Sequence, residues 1–332
     1  MQTLLRRIAV ASVMVACASG LMSGESHSQD YPANRPITII NPLAAGGGVD
    51  SALRSLAREL QTILKQTVVV ESKPGAGGVL AGAFVARAEP DGHTIGLLQS
   101  SQALPEVYSE TFKATYTSAD VRPVARYMKL TYGMAAHPSV PYKDFKQFVA
   151  YAKANPEQIK LGRGGGAGIS NPIGAYVFEM LNRLNIQILQ VSFRGAGETQ
   201  QALVGGHIDV VFPISVTAIE QSVKAGQLSA LAMYGSSRSP NLPDVPTFAE
   251  QGYDAEAIPI YNTLFVPKAT PDSVVLKIQN AVATAMQSPA LKEAAERGGF
   301  DLYYGTGTEA AEEVEKDRAF MTAFLKKYPQ PK

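Results

Sequence analysis

The stretch "ITIINPLAAGGGVDSALRSLARELQTILKQTVVVE", residues 37–71, decides the reading of the fold. Residues 37–40 are a short, mostly β-branched run closed by Pro42, which predicts a strand. From Asp50 onward Leu53, Leu56, Ala57, Leu60, Ile63 and Leu64 recur at three- and four-residue spacing, which predicts an amphipathic helix. Residues 67–71 then read as a second strand. Between the first strand and the helix, Ala45, Gly46, Gly47 and Gly48 carry almost no side chain. Such a stretch lets another molecule come close to the backbone.

Working outward, "SKPGAGGVLAGAFVARAEPDG" (72–92) reads as a glycine-rich turn, a helix and a Pro-Asp-Gly stop, and "HTIGLLQS" (93–100) as a third strand. Strand–helix–strand–helix–strand is the pattern of a parallel sheet covered by helices. A second set follows. Strands are predicted in 131–138, 159–162, 186–193, 207–214 and 228–235, helices in 142–156, 172–185, 197–206 and 217–227, and a glycine-rich loop, "RGGGAGISN", in 163–171. Residues 257–267 read as extended, 271–298 as two helices, and 308–328 as a terminal helix that is acidic early and basic late, as the helix dipole prefers. The fold class is therefore α/β in two sets. Regions near 100–128 and 236–258 read as weakly structured crossings between them.

The chain has 332 residues, room for one large domain or two medium ones. It begins with Arg6 and Arg7, an apolar stretch over 8–18 and then small residues, which is the form of a secretory leader. That stretch is too short to be a stable bilayer anchor. Residues 16–18 and 26–28 both offer small-x-small cleavage sites, and the Arg6-Arg7 pair fits a twin-arginine export signal poorly. The single cysteine, Cys17, falls inside the leader; "MVAC" loosely resembles a lipoprotein processing site, and the simpler reading is a discarded residue. A chain cut after Ser28 has no disulfide or thiolate chemistry. Of the 30 basic and 29 acidic residues, two basic and one acidic lie in that leader, so the remainder is neutral overall. Nothing in this balance favours nucleic acid or an anionic membrane surface.

Two glycine-rich loops, "AAGGGVD" (44–50) and "GGGAGIS" (164–170), each follow a strand and open a helix. The first amides of a helix lack intrahelical partners and carry the positive end of its dipole, so glycines there admit an anion. A plain tight turn is the simpler reading of either loop by itself. Neither loop supplies the Gly-Lys-Ser/Thr of a phosphate loop, and the first lacks the G-x-G-x-x-G of a dinucleotide fold.

These segments are specific enough to carry a resemblance. "YPANRPITIINPLAAGGGVDSALRSLARELQTILKQTVVVESKPGAGGVLAGAFVARAEPDGHTIGLL" (31–98), "VSFRGAGETQQALVGGHIDVVF" (191–212), "AGQLSALAM" (225–233), "LPDVPTFAEQGYD" (242–254) and "FVPKATPDSVVLKIQ" (265–279) together resemble the substrate-binding proteins of tripartite tricarboxylate transporters, the Bug or TctC family. The resemblance implies a periplasmic solute receptor with a type II-like periplasmic-binding-protein fold. Each lobe is expected to be a mostly parallel sheet flanked by helices, with a ligand cleft between the lobes. After the leader (1–28), lobe 1 is expected over 30–128 plus 250–332 and lobe 2 over 129–249.

The resemblance further implies a small carboxylate ligand, delivery to integral-membrane permease subunits, a monomer, and no cofactor, metal or catalytic residue. Family members hold a carboxylate through backbone amides of two loops, which carry over here to 43–50 and 166–170. The expected ligand-binding residues are Leu43, Ala44, Ala45, Gly46, Gly47, Asp50, Ser100, Gly166, Ala167, Gly168, Ile169, Ser170 and Arg194. In the second loop the family pattern is Gly-x-Gly-Ser-x-x-His. Here Ile169 stands in place of the serine and Pro172 in place of the histidine, although Ser170 is adjacent. A hydroxyl is lost and an apolar group gained, so the expected ligand has an apolar or aromatic portion, unlike citrate.

Single residues leave two readings open. Asp50 either caps the exposed amides of its own helix, or orients the loop or meets a ligand ammonium. Arg194 either pairs with a carboxylate or is a surface arginine, and Asp209 is a candidate for the sheet edge or hinge. Tyr132, Tyr234 and Tyr261 either stack on a ligand or belong to the core. His93, His137 and His207 have no metal-binding spacing. An enzyme acting on a small carboxylate in the same cleft is the competing functional class, and a receptor that signals to a membrane sensor is a third.

Overall fold

The computed structural model describes residues 31–46, 48–107, 113–163, 172–193, 196–235, 237–253, 260–298 and 300–327. The leader read in residues 1–28 lies outside them. Within the described residues no helix is long and apolar enough to cross a membrane.

β1 (Ile37–Asn41), α1 (Gly48–Leu64), β2 (Val68–Ser72), α2 (Val79–Ala86) and β3 (Thr94–Leu98) succeed one another as the sequence predicts. β1 pairs in parallel with both β2 and β3. Ile39 joins the apolar cluster of Leu53 and Leu56, whereas Ile40 joins that of Ala81 and Val85. Neighbouring strand residues point to opposite faces, so helices cover both sides of β1 and its run is apolar throughout. In α1, Leu53, Leu56 and Leu60 are fully buried. Each such leucine stabilises the fold by roughly 1.5–3 kcal/mol relative to exposure.

The first sheet is completed by β4 (Val121–Leu130), β10 (Ile260–Pro267) and β11 (Asp301–Thr306), in the order β11-β4-β10-β3-β1-β2. Helices α1, α8 (Asp272–Ala285) and α9 (Pro289–Gly298) pack on one face; α2, α3 (Ser100–Ala103) and α10 (Gly307–Lys327) pack on the other. The second sheet runs β7 (Leu189–Ser192), β6 (Lys160–Arg163), β8 (Val210–Ser215), β5 (Tyr132–Ala136), β9 (Ser229–Tyr234). Helices α4 (Phe145–Ala154) and α5 (Pro172–Arg183) cover one side of it, and α6 (Ala196–Val204) and α7 (Val216–Lys224) the other. The molecule is thus a two-lobed α/β fold.

Both sheets are mixed rather than mostly parallel. The parallel pairings expected from the sequence are β1 with β2 and β3, and β6 with β7 and β8. The strands that travel between sheets pair antiparallel: β4 carries the chain out, β10 brings it back, and the two lie side by side in opposite directions. β5 likewise runs antiparallel to β8 and β9.

β4 also corrects the reading of 100–128 as weakly structured. "VRPVARYMKL" contains a proline and three cations, which obscure a strand. Pro123 sits beside a register irregularity opposite Phe265, where its missing N–H interrupts no regular ladder. From β4 the chain passes to β5 through Thr131 alone. The Thr131 hydroxyl donates to Asp301 Oδ2 at 2.8 Å in β11, and its carbonyl accepts the Val216 amide at 2.9 Å at the start of α7. One residue is therefore bonded to elements of both sheets.

Candidate functional site

The loop after β1 is held by its own side chains. Asn41, fully buried at the strand end, donates from Nδ2 to Asp50 Oδ1 at 3.1 Å and to Ser72 Oγ at 3.3 Å. Its Oδ1 accepts the Leu43 amide at 3.1 Å, a side-chain mimic of a turn. Asp50 Oδ2 accepts the Gly46 amide at 3.0 Å and Arg54 Nε at 2.9 Å. Pro42 has no amide to give. Among the described residues, the amides of Ala44 and Ala45 have no hydrogen-bond partner.

Leu43, Ala44, Ala45 and Gly46 are all exposed, just ahead of the positive end of α1. Gly46 adopts φ +87°, and a Cβ added there would meet nothing within 4 Å. Conformation rather than crowding calls for glycine at this turn. Two adjacent amides without a partner among the described residues thus lie in an exposed loop just ahead of a helix start, a place where an anion can be held.

Asp50 lies in the first turn of α1 and is 4% exposed. Burial works to raise its pKa, but the hydrogen bonds from Arg54, Gly46 and Asn41 outweigh this and hold the carboxyl below its ordinary value. Both oxygens are engaged within the protein, and the Gly46 amide that Oδ2 accepts lies in the loop ahead of the helix, so of its readings the structure favours the one in which Asp50 orients that loop.

Beside β1, the end of β3 is braced in the same way. The Gln99 amide donates to Gln102 Oε1 at 2.6 Å, and Gln102 Nε2 donates to the Gly77 carbonyl at 2.8 Å. The Tyr116 hydroxyl donates to the Gln102 carbonyl. The Gln99 side chain reaches Asn262 Oδ1 at 3.2 Å and also hydrogen-bonds Tyr132, so it links the first sheet to β5 of the second. Ser100 opens α3 directly after it.

Of the tyrosines, Tyr234 is buried against Tyr176 and Phe212. Tyr261 is stacked on Tyr303 at 5.2 Å, with the Arg126 guanidinium 4.7 Å and 4.9 Å from the two rings. Tyr234 is a core side chain, and Tyr261 is engaged within the first lobe. His93 is buried edge-on to Tyr31, and His137 Nδ1 lies 2.7 Å from Ser139 Oγ. Asp209 accepts the Lys160 amide at 2.7 Å, bracing the start of β6. Among the described residues no group of three or more His, Cys, Asp or Glu is placed to hold a metal ion.

In the second sheet, β6 ends at Arg163 and α5 begins at Pro172, the strand and the helix that the sequence places on either side of the second glycine run. Gly47, Gly166, Ala167, Gly168, Ile169, Ser170 and Arg194 lie outside the described residues. Sequence reasoning gave Arg163 no role. In the structure its side chain donates to Gln190 Oε1, and among the described residues no carboxylate pairs with it. Burial pushes its pKa down. The signal in the sequence was a cation ending a strand immediately before a glycine run.

The model of the tripartite tricarboxylate transporter family receptor matches residues 52–327. The UPF0065 protein in the gbd 5′ region of Cupriavidus necator is 29% identical over 326 residues, 95% of each chain. BugT of Bordetella pertussis is 29% identical over 290 residues, 87% of each chain. Among solved structures, a periplasmic transporter superposes with a TM-score of 0.81 at 29% identity, covering 90% of this chain and 98% of its own. MatC of Rhodopseudomonas palustris, with bound malate, gives a TM-score of 0.78 at 26% identity, covering 89% and 100%.

Proposed function

Because the chain belongs to the tripartite tricarboxylate transporter receptor family, we propose that it is an extracytoplasmic solute receptor that captures a small carboxylate and hands it to a membrane permease of that transporter type. The observation that carries this reading is the pair of unengaged amides at Ala44 and Ala45 in front of α1. Their loop is prefolded by Asn41 and Asp50, so little conformational entropy is lost when an anion arrives. The bound malate of the structurally similar MatC supports a carboxylate as the ligand class.

In this reading residues 1–28 export the chain to the periplasm. The lobes are residues 30–128 with 250–332, and residues 129–249. They close on the ligand about crossings such as Thr131. The second glycine loop, 166–170, supplies the second set of amides, and Ile169 and Pro172 favour a ligand with an apolar or aromatic portion. The protein binds this ligand and returns it unchanged. The one acidic side chain of the first loop, Asp50, is occupied in holding that loop and is not poised to move protons on a substrate.

Thermal unfolding with malate, citrate and benzoate, followed by mass spectrometry of the recovered ligand, tests the proposal. Ligand at one hundred times Kd stabilises a single-site receptor by about 2.7 kcal/mol. Stabilisation by a carboxylate that is recovered intact is the expected result. Chemical conversion of the ligand would move the assignment to an enzyme, and stabilisation by none of the three would contradict carboxylate capture.

A further inference from the structure

Besides the strand crossings, the elements of the two sheets meet where α5 packs on α10. In the chain α5 follows the second glycine run, and α10 is the C-terminal helix, packed on β4 of the first sheet. The side chains of α5 divide between two cores. Tyr176, Val177, Met180 and Leu181 bury in the main core, whereas Phe178 packs against the separate cluster of Leu104, Met321 and Phe324, with Phe320 alongside. Met321 and Phe324 belong to α10, and Leu104 directly follows α3. Next to Phe178, Glu179 Oε1 accepts Lys327 Nζ at 2.7 Å from the last turn of α10.

These contacts differ in kind from the packing inside a lobe. A rotation of the lobes about the Thr131 crossing carries α5 with the second sheet and α10 with the first. It must therefore part Phe178 from Phe324 and Glu179 from Lys327, while each helix keeps the core beneath it. The apolar contact is the larger of the two terms. At about half the value of a fully buried phenylalanine, Phe178 shifts an equilibrium roughly 4- to 13-fold. The Lys327 side chain is 60% exposed. An ion pair of that kind shifts an equilibrium by about 1.4- to 5-fold, and salt screens it.

We propose that the contact of α5 with α10 is a latch that keeps a share of the protein closed before any ligand arrives. Phe178 supplies most of its strength, and the Glu179–Lys327 pair sets its register. Both sides of the latch continue in the chain into the candidate ligand loops: α5 into residues 164–171, and Leu104 through α3 to Ser100 and Gln99. The latch rests on the solute-receptor reading for the movement of the lobes and adds the contact that governs it.

The test needs no ligand. Small-angle X-ray scattering of the exported protein compares the wild type with Phe178→Ala, Lys327→Glu and the charge swap Glu179→Lys/Lys327→Glu. Phe178→Ala should raise the radius of gyration, because closed molecules are lost to the open form. Lys327→Glu sets two carboxylates against each other and should raise it as well, and the charge swap should return it to the wild-type value. Urea unfolding of each protein reports on the fold, and the substitutions at the exposed Lys327 decide the matter if Phe178→Ala does not fold. Equal radii for the wild type, Phe178→Ala and Lys327→Glu overturn the latch. An expansion in Lys327→Glu that the charge swap fails to reverse overturns it too, because the lobes then respond to the charge of α10 and not to the pair. Either failure leaves carboxylate capture untouched, since that reading stands or falls on stabilisation by malate, citrate or benzoate.

Discussion

Asp50 Oδ2 accepts the amide of Gly46 at 3.0 Å, so a residue in the first turn of α1 folds the loop in front of that helix. The same carboxylate holds Arg54 and Asn41. Loop shape and helix start are therefore a single hydrogen-bonded unit, and the amides of Ala44 and Ala45 are left without a partner among the described residues.

Replacing Asp50 with alanine strands the Gly46 amide and removes one of the two acceptors of the buried Asn41 side chain. Loss of a buried acceptor costs about 1–3 kcal/mol. Urea unfolding of Asp50→Ala should show destabilisation in that range, and ligand affinity should fall as well, because the loop is no longer preorganised. Unchanged affinity in a folded Asp50→Ala protein would separate the loop from the binding site.

Acid should weaken the fold through three carboxyls. Burial tends to raise Asp50, Asp91 and Glu106, and in each case hydrogen bonds outweigh it and leave the pKa lowered: from Arg54 and Gly46, from His93 and Arg35, and from Ser118 and Arg318 respectively. Unfolded carboxyls titrate near pH 4, above these folded values, so the unfolded chain binds protons first as pH drops. The stabilisation is fully present above about pH 5 and declines as pH falls through the folded values. Urea midpoints measured from pH 6 to pH 3 should fall, and Glu106→Gln should give a shallower decline. Parallel curves for the two proteins would contradict the assignment of Glu106.

Gly82 is required by a neighbour. A Cβ there would lie 1.9 Å from Tyr116 Oη, whose hydroxyl donates to the carbonyl of Gln102. Gln102 in turn fixes Gln99 at the end of β3. Gly82→Ala should destabilise by about 1–3 kcal/mol, the usual cost of overpacking. It should also weaken ligand binding by displacing the Gln99 brace. A variant as stable as the wild type in urea would show that Tyr116 relaxes without cost.

Ligand preference follows from Ile169 and Pro172 if the second loop faces the ligand. Titration calorimetry should rank an aromatic carboxylate above citrate. Citrate as the tighter ligand would remove the inference drawn from those two residues.

Much of this was legible in the chain. The run 37–71 showed its strands and helix because their apolar residues recur at periods set by helices on both sides of β1. The first glycine loop stood out for the same reason that it works: a bare backbone at a helix start. β4 was hidden because Pro123, Arg122, Arg126 and Lys129 disguise a strand whose neighbours are far away in sequence. Its partners β10 and β11 begin at Ile260 and Asp301, and no local pattern connects them. The same distance hid the antiparallel half of each sheet. Within the site, sequence singled out Asp50 without showing that Asn41 and Arg54 engage its charge. Arg163 looked like the first residue of a loop, whereas it ends β6 and is held by Gln190 of the neighbouring strand.

The most direct test is a crystal structure of the protein with a bound carboxylate. The account predicts carboxylate oxygens about 2.7–3.2 Å from the amide nitrogens of Ala44 and Ala45, with the Gly46 amide still on Asp50. A ligand carboxylate bound elsewhere, with those two amides facing only water, would contradict it.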